Sequence, residues 1–182
     1  NFKNSVCSAG NLVFFLSSDG FYSFNGQQIS PIGSERVNQF FLSDFDSNYD
    51  DRMSAAVDPL NEVAMWSYTS TSSPSGQPDK ILIYNYTLNK WSVAEVEADL
   101  LAPMFSAGYT VDALDNLSST VDGLSIQLDS RFYKGGQYFF GGAFGNKIFS
   151  FTGSALPGTI ETAEAPLSTG RNSIVTRVYP YY

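Results

Sequence analysis

Asp58-Pro-Leu-Asn-Glu-Val-Ala-Met-Trp-Ser-Tyr68, a Ser/Gly/Pro loop, Lys80-Ile-Leu-Ile-Tyr-Asn-Tyr86 and Thr87-Leu-Asn-Lys-Trp91 form the stretch whose reading decides the fold. The first run alternates Val63, Met65 and Ser67 with Ala64, Trp66 and Tyr68, the period of a strand with two distinct faces. The second is rich in β-branched and aromatic residues that suit a half-buried pleated surface. Turn-forming residues bound each run: Asp-Pro-Leu-Asn before the first, Pro74 to Asp79 between them, Leu-Asn-Lys after the second. The spacing predicts consecutive antiparallel strands with Trp66 and Trp91 as large apolar anchors.

Upstream, Asn11 to Ser17 reads as a strand, Ser18-Asp19-Gly20 as a turn, and Phe21 to Asn25 as the returning strand. Pro31 and Gly33 are expected to end this meander. Glu35 to Leu42 is expected to form a short helix, capped by Ser34, with Val37, Phe40 and Phe41 on its inner face. Asp44 to Asp51 reads as a loop and Arg52 to Val57 as a short strand. Downstream, Ser92 to Val96 continues the β pattern, Ala102 to Thr110 is mixed, and Asp112 to Asp129 reads as irregular. Gly141-Gly142 and Gly145-Asn146 read as turns, Lys147 to Phe151 as a strand, and Thr159 to Ala163 and Ser173 to Tyr179 as two more.

A weak repeat runs through these elements. FYSFNG (21–26), ILIYNY (81–86) and IFSFTG (148–153) share an apolar-aromatic core. Their spacing exceeds the roughly 40–45 residues of a compact four-stranded blade, so loops must be inserted. The fold class is all-β, made of antiparallel meanders; short strands with regular turns fit a sandwich, a barrel or a propeller, and the repeat favours a partial β-propeller with long inserted loops. A propeller-like domain is expected over 1–157 and continuing C-terminal strands over 158–182. The Asn-Phe-Lys start and the Tyr-Pro-Tyr-Tyr end suggest a segment of a longer polypeptide.

The composition of the 182 residues bounds function. Aromatics abound (15 Phe, 11 Tyr, 2 Trp) and no run is long enough to span a membrane, so none is expected. Cys7 is the sole cysteine, which excludes an internal disulfide. The net charge of −8 argues against wrapping nucleic acid, which needs clustered Lys and Arg to displace counterions. The charge is uneven. Glu95, Glu97, Asp99, Asp112, Asp115, Asp122 and Asp129 follow Trp91 with no basic residue before Arg131; thereafter Arg131, Lys134, Lys147, Arg171 and Arg177 outweigh Glu161 and Glu164. Such an acidic stretch is a solvated surface or a wall past which a like-charged polymer slides without sticking.

The absence of histidine removes Ser-His and Cys-His nucleophile pairs and every His-based zinc site. No Gly-rich phosphate loop is present. Carboxylate pairs could serve glycoside hydrolysis, but eighteen acids make such a pair easy to find by chance. Asp44, Asp46, Asn48 and Asp50 alternate like half of a calcium loop, yet Tyr49 stands where glycine is needed and Ala55 where a bidentate Glu should sit. No enzyme, cofactor or metal is expected.

Two groups of motifs carry a family resemblance. One is FLSSDGFYSFNG followed by PIG (Phe15 to Gly33) with DPLNEVAMWSY…ILIYNYTLNKWS (Asp58 to Ser92). The other runs through ALDNL (113–117), LDSR (128–131), YKGG (133–136), KIFSFTG (147–153) and IETAE (160–164) to TGRNSIVTRVYP (169–180). Together they resemble the tail nozzle, or packaged-DNA-stabilisation, proteins of tailed and especially short-tailed bacteriophages. The resemblance implies a propeller-containing structural subunit, assembled as a hexameric homo-oligomer at the distal tail. It also implies adaptor and fibre partners, transient passage of DNA, and a place in virions assembled in the bacterial cytoplasm. The acids from Glu95 to Asp129 are then candidates to line the channel, and Arg171 and Arg177 to pair across subunits. The alternative is a host-glycan-binding propeller or sandwich of a phage tail, with Tyr133 or Tyr138 on the sugar.

Overall fold

The computed structural model describes residues 2–33, 35–106, 108–114, 116–118, 120, 123, 127, 134–151 and 157–159. Residues 1–152 make one compact unit; 153–182 belong to a second, of which 157–159 are described. The first unit is mostly β, with three antiparallel sheets in which strand order follows chain order. The first sheet holds β1 (Cys7–Ala9), β2 (Leu12–Ser17), β3 (Gly20–Phe24) and β4 (Ile29–Pro31). The second holds β5 (Ser54–Asp58), β6 (Val63–Tyr68), β7 (Lys80–Asn85) and β8 (Lys90–Ala94). The third holds β9 (Leu100–Phe105), β10 (Tyr138–Phe144) and β11 (Lys147–Ser150). Between the first two sheets the chain makes α1 (Glu35–Asp44) and a 3-10 helix (Ser47–Arg52), and α2 (Val111–Leu114) lies between β9 and β10.

The second sheet is packed on both faces, and the alternation in β6 is the reason. Ala64, Trp66 and Tyr68 join Phe14, Leu16 and Phe21 of the first sheet in one core. Met65 turns the other way, packing with Ile81 and Ile83 against Leu101 and Phe140 of the third sheet. Trp66 is fully buried; its ring lies 4.9 Å from Phe21 and 5.8 Å from Trp91. Its Nε1 donates to Ser5 O at 2.8 Å, so the indole satisfies its one polar atom inside the core. Trp91 Nε1 donates to Ile32 O at 3.2 Å, which ties the second sheet to the chain leaving the first. At the sheets' edges β5 runs beside both β1 and β9, and Leu101 N donates to Ser54 Oγ at 3.0 Å.

The sequence repeat lands on equivalent strands: β3, β7 and β11 are each the third strand of their sheet. The likeness extends to the turns. Asn25 Oδ1 accepts from Gln27 N and Gln28 N, and Asn85 Oδ1 accepts from Thr87 N and Leu88 N. Each asparagine thereby closes the hairpin into the fourth strand, the Asx turn that its short amide favours. Phe21 packs towards the second sheet and Ile81 towards the third, whereas Leu82 and Phe149 pack back towards the preceding sheet.

Several expectations shift. Residues 29–31, where no strand was expected, form the edge strand β4; Pro31 is its last residue and ends the meander as expected, at an edge where a missing N–H costs nothing. The three-residue β1 carried no readable period. Helix α1 runs two residues past Leu42, and Phe41 and Phe45 fill the core while Phe40 is exposed; Ser34 lies outside the described residues. The expected loop at Asp44–Asp51 is the end of α1 and a 3-10 helix whose N-cap, Asp46, accepts from Asn48 N. The strand expected from Arg52 begins at Ser54. Ala102 to Thr110, read as mixed, contributes most of β9. Gly141-Gly142 is not a turn but the centre of β10, where a Cβ on Gly141 would collide with Phe149 O and one on Gly142 with Leu100 O. Gly145 does make the expected turn, at φ 56°. The two expected C-terminal strands, apart from Thr159, lie outside the described residues.

Burial of Trp66 has a direct thermodynamic consequence. Trp66→Ala removes the largest fully buried side chain and orphans Ser5 O, and is expected to cost about 3–5 kcal/mol in denaturant melts. Leu60→Ala, at a position 74% exposed, should stay within about 0.5 kcal/mol of the parent.

Candidate functional site

The acidic segment is shaped by alternation in the link from β8 to β9. Val96 and Ala98 turn inward between the second and third sheets, which leaves Glu95, Glu97 and Asp99 exposed on the opposite side. Asp99 is also anchored: its N donates to Ala143 O at 2.8 Å and its Oδ2 accepts from Gly145 N at 3.0 Å. Glu95 and Glu97 are the solvated members of the trio. Asp112 is exposed on α2, away in sequence from this link. Asp115, Asp122, Asp129, Arg171 and Arg177 lie outside the described residues, as does Tyr133.

Asp99 borders a cavity of about 740 Å³, where β5 and β9 begin beside the N-terminal segment. Its polar lining is mixed in sign: Lys3 and Arg52, Asp51 and Asp99, together with Asn4, Ser54 and Gln77. Arg52 is held in place, donating to Gly76 O at 2.6 Å with its guanidinium 4.8 Å above the Tyr49 ring. The charges are balanced and the cavity is open, so its geometry favours no single ionic ligand.

The buried Asp58 and the half-buried Asp44 and Asp79 are occupied in holding the fold. Asp44, at the end of α1, takes both oxygens to Lys80 Nζ at 2.9 Å and accepts from Tyr68 Oη at 2.8 Å. Asp58 accepts from Leu60 N, Asn61 Nδ2 and Tyr138 Oη, the last at 2.8 Å across the gap between the second and third sheets. Asp79 accepts from Ser70 N and Ser70 Oγ. These pairings span 24, 36 and 80 residues of sequence, and no local pattern announced them. Tyr138, a candidate for sugar stacking, thus has its hydroxyl committed to Asp58 and its ring edge-on to Phe105. Asp44, the first position of the half calcium loop, is engaged by Lys80. No group of three or more Cys, Asp or Glu side chains among the described residues is arranged to hold a metal ion. No helix among them is long and apolar enough to cross a membrane.

No protein-family model matches the chain, and no curated protein matches it in sequence.

Buried acids of a different kind set the response to alkali. Burial pushes the Cys7 thiol from its usual 9.0 up to about 12. Burial, then the bond to Asp44, raises Tyr68; burial, then the bond to Asp58, raises Tyr138. Each group binds its proton more tightly folded than unfolded, so its contribution is complete below the unfolded pKa and is lost as pH rises through the folded one. The melting temperature should therefore be level from pH 7 to about 9 and fall steadily above it, as thermal melts across pH 7–12 will report. A melting curve unchanged at pH 11 would contradict these assignments.

Proposed function

We infer that the chain is a structural module of a phage tail, a β-propeller segment within the nozzle ring that retains packaged DNA and lets it leave on ejection. The observation that carries this reading is the serial stacking of three meanders with first strands side by side and the sequence repeat on the third strand of each. That is the way blades follow one another in a propeller. The described carboxylates that are buried serve packing rather than chemistry, which suits a scaffold. Exposed Glu95 and Glu97 supply the like charge that keeps a DNA channel from gripping its cargo.

Two measurements test the reading. Immunogold electron microscopy of virions with an antibody against this chain should place label on the particle axis at the distal tail. Label on peripheral fibres would instead favour the receptor-binding alternative, and unlabelled particles would sink the tail assignment. Within a nozzle, Glu95→Lys with Glu97→Lys should slow DNA release in an ejection assay, with the delay fading as salt is raised. Unaltered release would remove these two residues from the channel wall.

A further inference from the structure

The three sheets repeat one packing relation twice, and among the described residues no further sheet continues it at either end. At equivalent positions of the third strands, Phe21 projects into the second sheet and is 1% exposed, and Ile81 projects towards the third and is fully buried. Ile148 holds the same place in β11, and it is 74% exposed. Strand register puts Leu100, Ala102, Met104, Phe139 and Ala143 on the face it shares, opposite Leu101, Phe140 and Phe149.

The receiving side shows the complementary gap. Leu82 receives the first sheet and Phe149 receives the second. Tyr22, the corresponding residue of β3, points away from both. It stacks on Phe15 at 5.9 Å, on a face that register extends to Val13, Phe24 and Ile29. Ile29 is 56% exposed. No Lys, Arg, Asp or Glu occupies a strand position on either outer face. The nearest charge is at the rim of the first sheet's face, where Asp19, in the turn before β3, accepts from Tyr22 Oη at 2.6 Å; an apolar face of this kind with a polar rim marks an interaction surface.

We propose that the outer face of the third sheet docks on the outer face of the first sheet of a second copy of this chain, continuing the packing that already joins the sheets within one copy. The contact is head-to-tail, because the projecting and receiving faces are different surfaces. Two such contacts between two copies close a ring of six sheets, within the range of four to eight seen in closed radial arrays. This inference stands on the sheet packing and is independent of the phage reading.

Sedimentation velocity over a concentration series tests it. The wild-type chain is expected to run at the mass of two copies. Ile148→Asp and Ile29→Asp should each weaken association at least about tenfold; because both sites are exposed in the single copy, each variant should keep the parent's circular dichroism spectrum, losing in melting temperature only what association supplies. Mixing the two variants recreates one intact contact, so a two-copy species should reappear. A wild-type monomer at every concentration would overturn the proposal. So would single variants that still pair, or a mixture that stays monomeric, which would indicate like face on like face. Ile148→Ser and Ile29→Ser provide the same comparison should an aspartate variant fail to fold.

Discussion

Burial of Trp66 between two sheets is the constraint on which the rest of the unit depends. An indole can enter a core when its N–H finds an acceptor, and Ser5 O provides one. That one bond fixes the N-terminal segment against β6, and so places β1 alongside β5. The aromatic cluster around it then sets the distance between the first and second sheets: Phe21, Phe41, Trp66, Tyr68, Tyr84 and Trp91 approach one another at 4.5–5.8 Å in edge-on, tilted and stacked pairs. Side chains of this size bury much area per residue, which allows short strands of three to six residues to form a stable packing unit.

The second interface is built differently. Between the second and third sheets the side chains are aliphatic and smaller, with Ile81, Met65, Ala56 and Leu101 around Phe140. Here a polar bridge adds direction, as Tyr138 reaches across to Asp58, which also organises the turn before β6. Glycines at 141 and 142 let the neighbouring backbone and the Phe149 ring come close to β10. The same fold relation is thus achieved with two chemistries, aromatic interdigitation on one side and close backbone approach on the other.

These interfaces also account for where the charge lies. Asp44, Asp58 and Asp79 are each engaged by donors, Asp44 and Asp58 partly from distant elements, whereas Glu95 and Glu97, in the link from β8 to β9, are left to solvent. A chain of net charge −8 can in this way keep its strand faces apolar and its connecting segments hydrated.

Local pattern determined much of this molecule. Period-two alternation from Val63 to Tyr68 specified which side chains share a face, and Asx and glycine turns specified where β3 and β7 reverse. The weak repeat marked three equivalent strands because each has to fill the same place in its own meander. What tertiary structure alone decided is everything that acts at a distance: both faces of the second sheet covered, Phe41 chosen over Phe40, Gly141-Gly142 inside a strand, and Asp58 joined to a tyrosine 80 residues away. Alternation says that two faces differ, but not what covers them. A turn residue says that the chain can reverse, but not whether a neighbouring backbone needs the space its missing side chain leaves. Those outcomes depend on which surfaces meet once the sheets stack, a long-range choice that no short window of residues encodes.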